Sequence, residues 1–429
     1  MIVPGLEART VLGLVVFLAV MALAISRPRG LNEAWPAAGG AAALLALGLL
    51  SPTDLVGAAR ETAGVLLFLL GMMVLSGVLE MAGIFSWAAS YAARMSGGSG
   101  RRLLVNVFAL GAIVTALLSL DVTVIVLTPI VYATVVALRV DPLPYLYACT
   151  FVANTGSLVF PMSNLTNLLV VDRLGLPFWR YSLTMAIPNL VAVAANTGIF
   201  LWLFRDRLPR RLPGAKPAVS IATSGPFFRI SVAVFLVVLV CLFLAGLAER
   251  PLWPVALIGG AALAYVARTV GGKHPRMIAA GVSWSLFPFV VGMAAVVRGI
   301  EHAGLTEGLG RLILGHAGQT VGAVVTTGAV AALGANLFNN IPMALVMLVV
   351  LGRVPPTRLE LLAAATLAGV NIGPALTTVG SLATMLWLSF TRRQGVEVSA
   401  LEYLRTSVLT VPLVLAATLA AITLEALRR

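Results

Sequence analysis

Two polar interruptions, each inside an otherwise apolar stretch, match one another across 217 positions (371 − 154) of the chain. The first runs Asn154-Thr155-Gly156-Ser157, then Pro161, then Ser163-Asn164-Leu165-Thr166-Asn167. The second runs Asn371-Ile372-Gly373-Pro374, then Thr377-Thr378, then Gly380-Ser381-Leu382-Ala383-Thr384. Aligned without a gap, Asn154 falls on Asn371, Gly156 on Gly373, Asn164 on Ser381 and Asn167 on Thr384. A helix broken in hydrocarbon exposes backbone groups that lipid cannot satisfy, so such a break persists only where it is buried or lines a watery cavity. Paired Gly/Pro interruptions in corresponding places of two halves are the sequence sign of a solute site near the membrane midplane.

The composition agrees. Apolar residues make up 60% of the chain and charged residues 10%, with a mean hydropathy of +1.01; a soluble domain carries about 25% charged residues. Apolar runs such as Val11 to Ile25, Val65 to Leu79, Val232 to Leu247 and Val411 to Leu424 cross a bilayer core of roughly 30 Å once their flanks are counted. The expected fold is an all-α polytopic membrane protein. With no small-residue cleavage pattern before Arg27, the first run is expected to stay as a span.

The net charge of +13 raises nucleic acid as a partner, but the basic residues cluster between apolar runs rather than along one stripe. Arg27/Arg29, Arg94/Arg101/Arg102, Arg205 to Lys216, Arg268/Lys273/Arg276 and Arg392/Arg393 form the pattern of positively charged cytoplasmic loops. Cys149 and Cys241 stand in separate apolar segments, where they read as small buried hydrophobes. His274, His302 and His316 have no metal-binding spacing, and no nucleophile elbow or phosphate loop is present. No cofactor or metal is expected, and an enzyme is the least favoured class.

The repetition reaches beyond the breaks. Phe68 to Met72 recurs as Phe289 to Met293, and Glu80-Met-Ala82-Gly83 as Glu301-His-Ala303-Gly304. Each Glu-x-Ala-Gly precedes a short amphipathic segment, Phe85 to Met95 and Leu305 to Leu314. Then comes an apolar pair with a polar tip, at Asp121 in one half and Asn339-Asn340 in the other. Counted as re-entrant hairpins, these pairs leave two inverted repeats, each of about five spans plus a hairpin and a broken helix; counted as two spans each, they give twelve spans in all. With the linker cytoplasmic, the inverted arrangement keeps every basic cluster inside. The expected division is residues 1–204, a basic cytoplasmic linker at 205–227, and residues 228–429.

The candidate site residues are Asn154, Thr155, Gly156, Ser157, Ser163, Asn164, Thr166 and Asn167 from one break. The other break and tip add Asn371, Gly373, Thr377, Thr378, Gly380, Ser381, Thr384, Asn339 and Asn340. A ring of neutral amides and hydroxyls suits a hydroxylated neutral solute, or an oxyanion seated on half-helix N-termini; the competing role for these side chains is to stitch helices together. Asp121 is the candidate coupling-ion residue, able to bind a proton or Na⁺, and its alternative role is an N-cap. Glu80 and Glu301 fall at span ends and read as structural.

The stretch Phe160 to Asn167, the segment Val370 to Phe390, the Asn339-Asn340-Ile-Pro342 tip, Leu127 to Val131 and Tyr403 to Thr406 together resemble the arsenite-efflux permeases, the ArsB family of the ion-transporter superfamily. The resemblance implies export of As(III), and usually Sb(III), from the bacterial cytoplasm through the inner membrane, driven by protons and in some members by an associated soluble ATPase. Arsenous acid is a neutral trihydroxide at cellular pH, so uncharged amides and hydroxyls match it. The chain departs from the family pattern at Leu120, where that pattern has Asn, and at Asn371 and Ala375, where it often has an acidic residue and a lysine. These departures leave Asp121 as the one core candidate for coupling. They keep open Na⁺/H⁺ antiport, transport of another oxyacid or a carboxylate, and passive facilitation.

Overall fold

The computed structural model describes residues 4–26, 31–212, 225–302, 306–315 and 320–428. Most of the 205–227 linker, Arg27 and Arg29, Ala303 to Leu305, and His316 therefore lie outside the described residues. Every regular element among those described is helical.

The first half comprises α1 (Pro4–Ser26), α2 (Ala34–Ala46), α3 (Pro52–Met81), α4 (Ile84–Met95), α5 (Gly100–Leu117), α6 (Leu120–Val122), α7 (Thr128–Ala137), α8 (Leu143–Thr155), α9 (Leu165–Arg173) and α10 (Phe178–Leu203). The second comprises α11 (Pro226–Leu247), α12 (Trp253–Thr269), α13 (Pro275–Ala280), α14 (Leu286–His302), α15 (Thr306–Gly315), α16 (Thr320–Phe338), α17 (Asn340–Leu351), α18 (Pro356–Ile372), α19 (Leu382–Arg393) and α20 (Ala400–Arg428). Among the described residues, eight segments are long and apolar enough to cross a membrane, with Leu120–Ala137 counted as one. The broken pair α8/α9 escapes that count because neither piece is long enough alone, whereas α18 with its 3₁₀ extension is counted as Pro356–Leu376 and α19 is left out. At 1.5 Å per residue α8 is about 20 Å long and α9 about 14 Å, so together they have the length of one span.

Both amphipathic segments expected after Glu80 and Glu301 are helices, α4 and α15. The first hairpin turns at Leu118-Ser119, and its return arm passes through a π-helical stretch at Thr123–Leu127. The wide turn leaves the Thr123 hydroxyl 2.7 Å from that of Thr115 and its carbonyl accepting from Thr128 at 3.4 Å. The second hairpin turns at Asn339, whose φ of 74° and ψ of 159° lie in territory that only glycine enters without strain. Cys149 is buried as expected, whereas Cys241 is exposed on the apolar surface of α11. Lipid solvates a thiol on such a face, so burial in protein is not required there.

The helices α3 and α14, which carry the matched Phe-x-x-Gly-Met motifs, pack with opposed directions. Arg298, thirteen residues into α14 (298 − 285), donates to Asp54 O in the first turn of α3 at 3.1 Å. The residue of α3 matched to Arg298 is Gly77, some six turns further along. The broken helices cross in the same sense. Trp387 Nε1 of α19 donates to Leu146 O near the start of α8 at 2.8 Å, while the start of α9 meets the end of α18.

Candidate functional site

Each break is a helix C-terminus, a short irregular stretch with a 3₁₀ turn, and a capped helix N-terminus. Asn164 caps α9 by accepting from Thr166 N at 3.3 Å, and Ser381, its match, caps α19 by accepting from Thr384 N at 3.1 Å. Asn and Ser serve because their short side chains reach back to the orphan N–H groups of the first turn. Asp121 is not the cap of its short helix: Ser119 Oγ accepts from Val122 N at 3.4 Å, and the aspartate sits one position inside the first turn. There it makes no hydrogen bond and no ion pair with any described residue.

Four of the expected side chains meet across the halves. Asn164 Nδ2 donates to Asn371 Oδ1 at 2.9 Å, Thr166 Oγ1 donates to the same oxygen at 2.6 Å, and Asn371 Nδ2 donates to Asn167 Oδ1 at 2.6 Å. Asn167 Nδ2 donates in turn to Ser157 O (2.6 Å) and Phe160 O (3.2 Å), which lie within the first break. All four residues are buried. This network is uncharged throughout.

Other hydrogen bonds tie each break to its own half. Ser157 Oγ donates to Asn154 O at 2.9 Å, Thr155 Oγ1 donates to Phe151 O at 3.0 Å, and Ser163 Oγ donates to Ala116 O at the first hairpin tip at 2.9 Å. Thr377 Oγ1 donates to Asn336 Oδ1 at 3.0 Å, and the Asn336 amide donates to Gly373 O at 2.7 Å, tying the second hairpin to its own break. Gly156 and Gly373 are set by close approach: a Cβ would lie 3.0 Å from Ala112 Cα in one case and 2.5 Å from Ala332 Cα in the other. At Gly380 a Cβ would stand 2.8 Å from Asn336 Oδ1. Asn154 bonds back to Thr150 O at 2.9 Å, Ser381 and Thr384 bond to each other at 2.9 Å, and three more candidates lie outside the network. Among the described residues, Asn340 Oδ1 accepts only from Ile341 N at 3.0 Å, and Asn339 and Thr378 hydrogen-bond to no break residue.

Several partners were not singled out from the sequence. Tyr181 donates to Leu158 O at 2.8 Å and Tyr403 to Ala375 O at 3.1 Å; these carbonyls are themselves 217 positions apart (375 − 158). Asn189 Oδ1 accepts from Leu158 N at 3.0 Å, and Asn196 Nδ2 donates to Thr155 Oγ1 at 3.1 Å. Two asparagines spaced by seven within the apolar helix α10 were the available signal, since amides are costly there without a partner. Asn336 carried the same signal in α16. At the far end of α9, Glu61 pairs with Arg173 at 2.8 Å and also with Arg298, bridging α3, α9 and α14. Two cavities flank that end. One, of about 330 Å³, reaches Pro161 of the first break, and the other, of about 310 Å³, is lined by Glu61, Arg173, Arg298 and Glu301.

Apolar helices sufficient for several crossings, together with paired broken helices meeting through neutral side chains, define a multi-pass membrane protein built as transporters are. In overall fold it is similar to the crystal structure of the YdaH transporter of Alcanivorax borkumensis, with a TM-score of 0.56 at 18% identity, covering 87% of each chain. The family model ArsB, arsenical pump membrane protein, matches residues 12–424, and the chain belongs to that family. It is 30% identical to an arsenical pump membrane protein of Escherichia coli (96% of this chain and 97% of that one) and 31% identical to one of Yersinia enterocolitica with the same coverage. A putative arsenical pump membrane protein of Bacillus subtilis is 26% identical over 94% of this chain and 97% of its own.

Proposed function

We propose that the protein is a secondary active exporter of arsenite, carried as As(OH)₃ together with the analogous antimonite, across the bacterial inner membrane in exchange for protons. The observation that carries this reading is the buried, uncharged junction of Asn164, Thr166, Asn167 and Asn371 between the two broken helices. Neutral amides and hydroxyls exchange hydrogen bonds with a neutral trihydroxide without the desolvation cost that a charged pocket would carry. Membership of the arsenical pump family supplies the solute class. The site comprises the two breaks and the hairpin tips that abut them.

The halves 1–204 and 228–429 act as inverted repeats joined by the 205–227 linker. Support comes from the opposed packing of α3 against α14 and of α8 against α19. Alternating access follows if the hairpins and broken helices move against a frame of the other spans, a division common among transporters of this build. Asp121 is the coupling residue: its carboxylate stands at a hairpin tip without an ion pair among the described residues, so protonation there changes the local charge by a full unit. Proton entry on Asp121 is exchanged for the neutral solute leaving.

The test is As(III) accumulation in everted vesicles with and without a proton gradient, for the wild type and Asp121→Asn. The expected result is gradient-dependent uptake that is lost in the variant. Flux indifferent to the gradient would make the protein a facilitator, a sodium requirement would replace the coupling ion, and the absence of As(III) flux through folded protein would discard the solute.

A further inference from the structure

Three oxygens along one face of α8 are buried without a hydrogen-bond partner among the described residues: Tyr147 Oη, Thr150 Oγ1 and Asn154 Oδ1. Spaced at i, i+3 and i+7, they line one side of the helix over about 10 Å, ending at the first break. Such groups are rare in folded proteins and call for a specific cause.

The cause is visible at Thr150. A helical threonine ordinarily donates to the carbonyl four residues earlier, as Thr155 does to Phe151 O at 3.0 Å. For Thr150 that carbonyl is Leu146 O, and Trp387 Nε1 of α19 donates to it at 2.8 Å. The second broken helix therefore displaces Thr150 from its local partner. One turn on, Asn154 Nδ2 donates to Thr150 O at 2.9 Å, which holds the amide beside Thr150 and leaves Oδ1 free. The Tyr147 hydroxyl lies beside Thr406 but without hydrogen-bond geometry, within a packed cluster of Phe151, Phe204, Trp387 and Tyr403.

We propose that Thr150 and Asn154, with Tyr147 at the far end, form an acceptor file for neutral O–H donors that leads the solute along α8 to the break. The proposal extends the transport reading above, since it adds Thr150 and Tyr147 to the site and assigns Asn154 the role of solute acceptor. Oxygens of this kind match the hydroxyl hydrogens of a neutral trihydroxide and offer an oxyanion nothing beyond two hydroxyl donors. While α19 is seated the hydrogen of the Thr150 hydroxyl stays uncommitted; withdrawal of Trp387 frees Leu146 O to accept it and turns the hydroxyl toward its own helix. Binding is thereby tied to the position of the second broken helix.

The experiment compares wild type, Thr150→Val, Asn154→Leu and Thr150→Ser as purified full-length protein, with thermal unfolding read in the presence and absence of arsenite, boric acid or arsenate. Val and Leu keep most of the volume and remove the acceptor, so both variants should unfold at or above the wild-type temperature without ligand. They should also need about tenfold more arsenite for the same stabilisation, the ratio equivalent to one lost hydrogen bond. Thr150→Ser should stay within about twofold of the wild type. Boric acid, another neutral trihydroxide, should stabilise the wild type, and arsenate should not. Equal arsenite stabilisation of wild type, Thr150→Val and Asn154→Leu, or none in the wild type, would overturn the proposal. Vesicle flux in the wild type is read separately: if arsenite stabilises the protein through these residues but is not carried, the file stands and the transport reading falls.

Discussion

Asn154 and Asn371 occupy matched places at the ends of α8 and α18, yet their surroundings differ. Asn371 spends both ends of its amide on the opposite half, with two donors on its oxygen and an acceptor for its nitrogen. Asn154 folds back onto its own helix and leaves its oxygen unpaired. The partners available to them explain the difference. Asn371 meets Asn164, Thr166 and Asn167, whereas the residues matched to those three are Ser381, Ala383 and Thr384. Ser381 and Thr384 bond to each other, at 2.9 Å. An amide and a threonine hydroxyl reach across the halves, while a serine, an alanine and a self-paired threonine do not. The matched breaks hold equal positions, and side-chain reach divided the work.

The largest effect is expected where this division is broken outright. Asn371→Leu strands Asn164 Nδ2, Thr166 Oγ1 and Asn167 Oδ1 in a buried site; at roughly 1–3 kcal/mol for each lost partner, destabilisation should exceed about 3 kcal/mol. Asn154→Leu should cost nothing or stabilise. Thermal unfolding of the purified pair reads both, and equal losses would mean that the two asparagines share one role.

Gly373→Ala is next. Its Cβ would lie 2.5 Å from Ala332 Cα on α16, forcing two backbones apart at a cost of about 1–3 kcal/mol by overpacking. Gly156→Ala meets Ala112 Cα at 3.0 Å and should cost less, so the ratio of the two measures how much tighter the second break is packed.

The capping residues should differ more gently. Ser381→Ala removes one cap, worth about 1 kcal/mol. Asn164→Ala removes a cap and a donor to Asn371 Oδ1, so its loss should be about 1 kcal/mol larger. Chemical denaturation at constant detergent would show it.

The smallest pair is Tyr181→Phe and Tyr403→Phe. Each loses one hydrogen bond to a matched carbonyl, so each should cost about 1 kcal/mol and the two should agree within experimental error. A clear inequality would show that the matched contacts are not equivalent in strength.

The outer ends of α9 and α19 differ as well. Arg173 closes α9 onto Glu61, which also holds Arg298, so three elements are joined by one carboxylate. The end of α19 carries Arg392 and Arg393 without an ion pair among the described residues and is held instead through the Tyr132 hydroxyl, which donates to Gln394 O at 3.2 Å. Glu61 falls inside a long apolar helix, but its partners come from residues more than 100 positions away, and no local pattern announces them.

Much of the site was legible because lipid removes alternatives. Within hydrocarbon a Gly/Pro/Asn run has to be buried against protein or water, and two runs in register imply two equivalent elements. Asn164 and Ser381 could be read as helix starts from their chemistry alone. Asp121 could not be excluded as a cap, because Ser119 and Asp121 both suit that position and the choice depends on a shift of two residues in register. Asn189, Asn196 and Asn336 were visible only as amides in apolar helices, whose partners depend on packing.

The sequence by itself determined the helical class, the paired motifs, the position of both breaks and the absence of charge from their polar residues, because periodicity, hydropathy and backbone chemistry act locally. Tertiary structure alone decided that Asn371 crosses to the other half while Asn154 does not, that Trp387 takes the carbonyl Thr150 would otherwise use, and that Glu61 serves two arginines. Each of these rests on which helix lies beside which, and hydrogen bonds form over about 3 Å, a distance that separation along the chain does not encode.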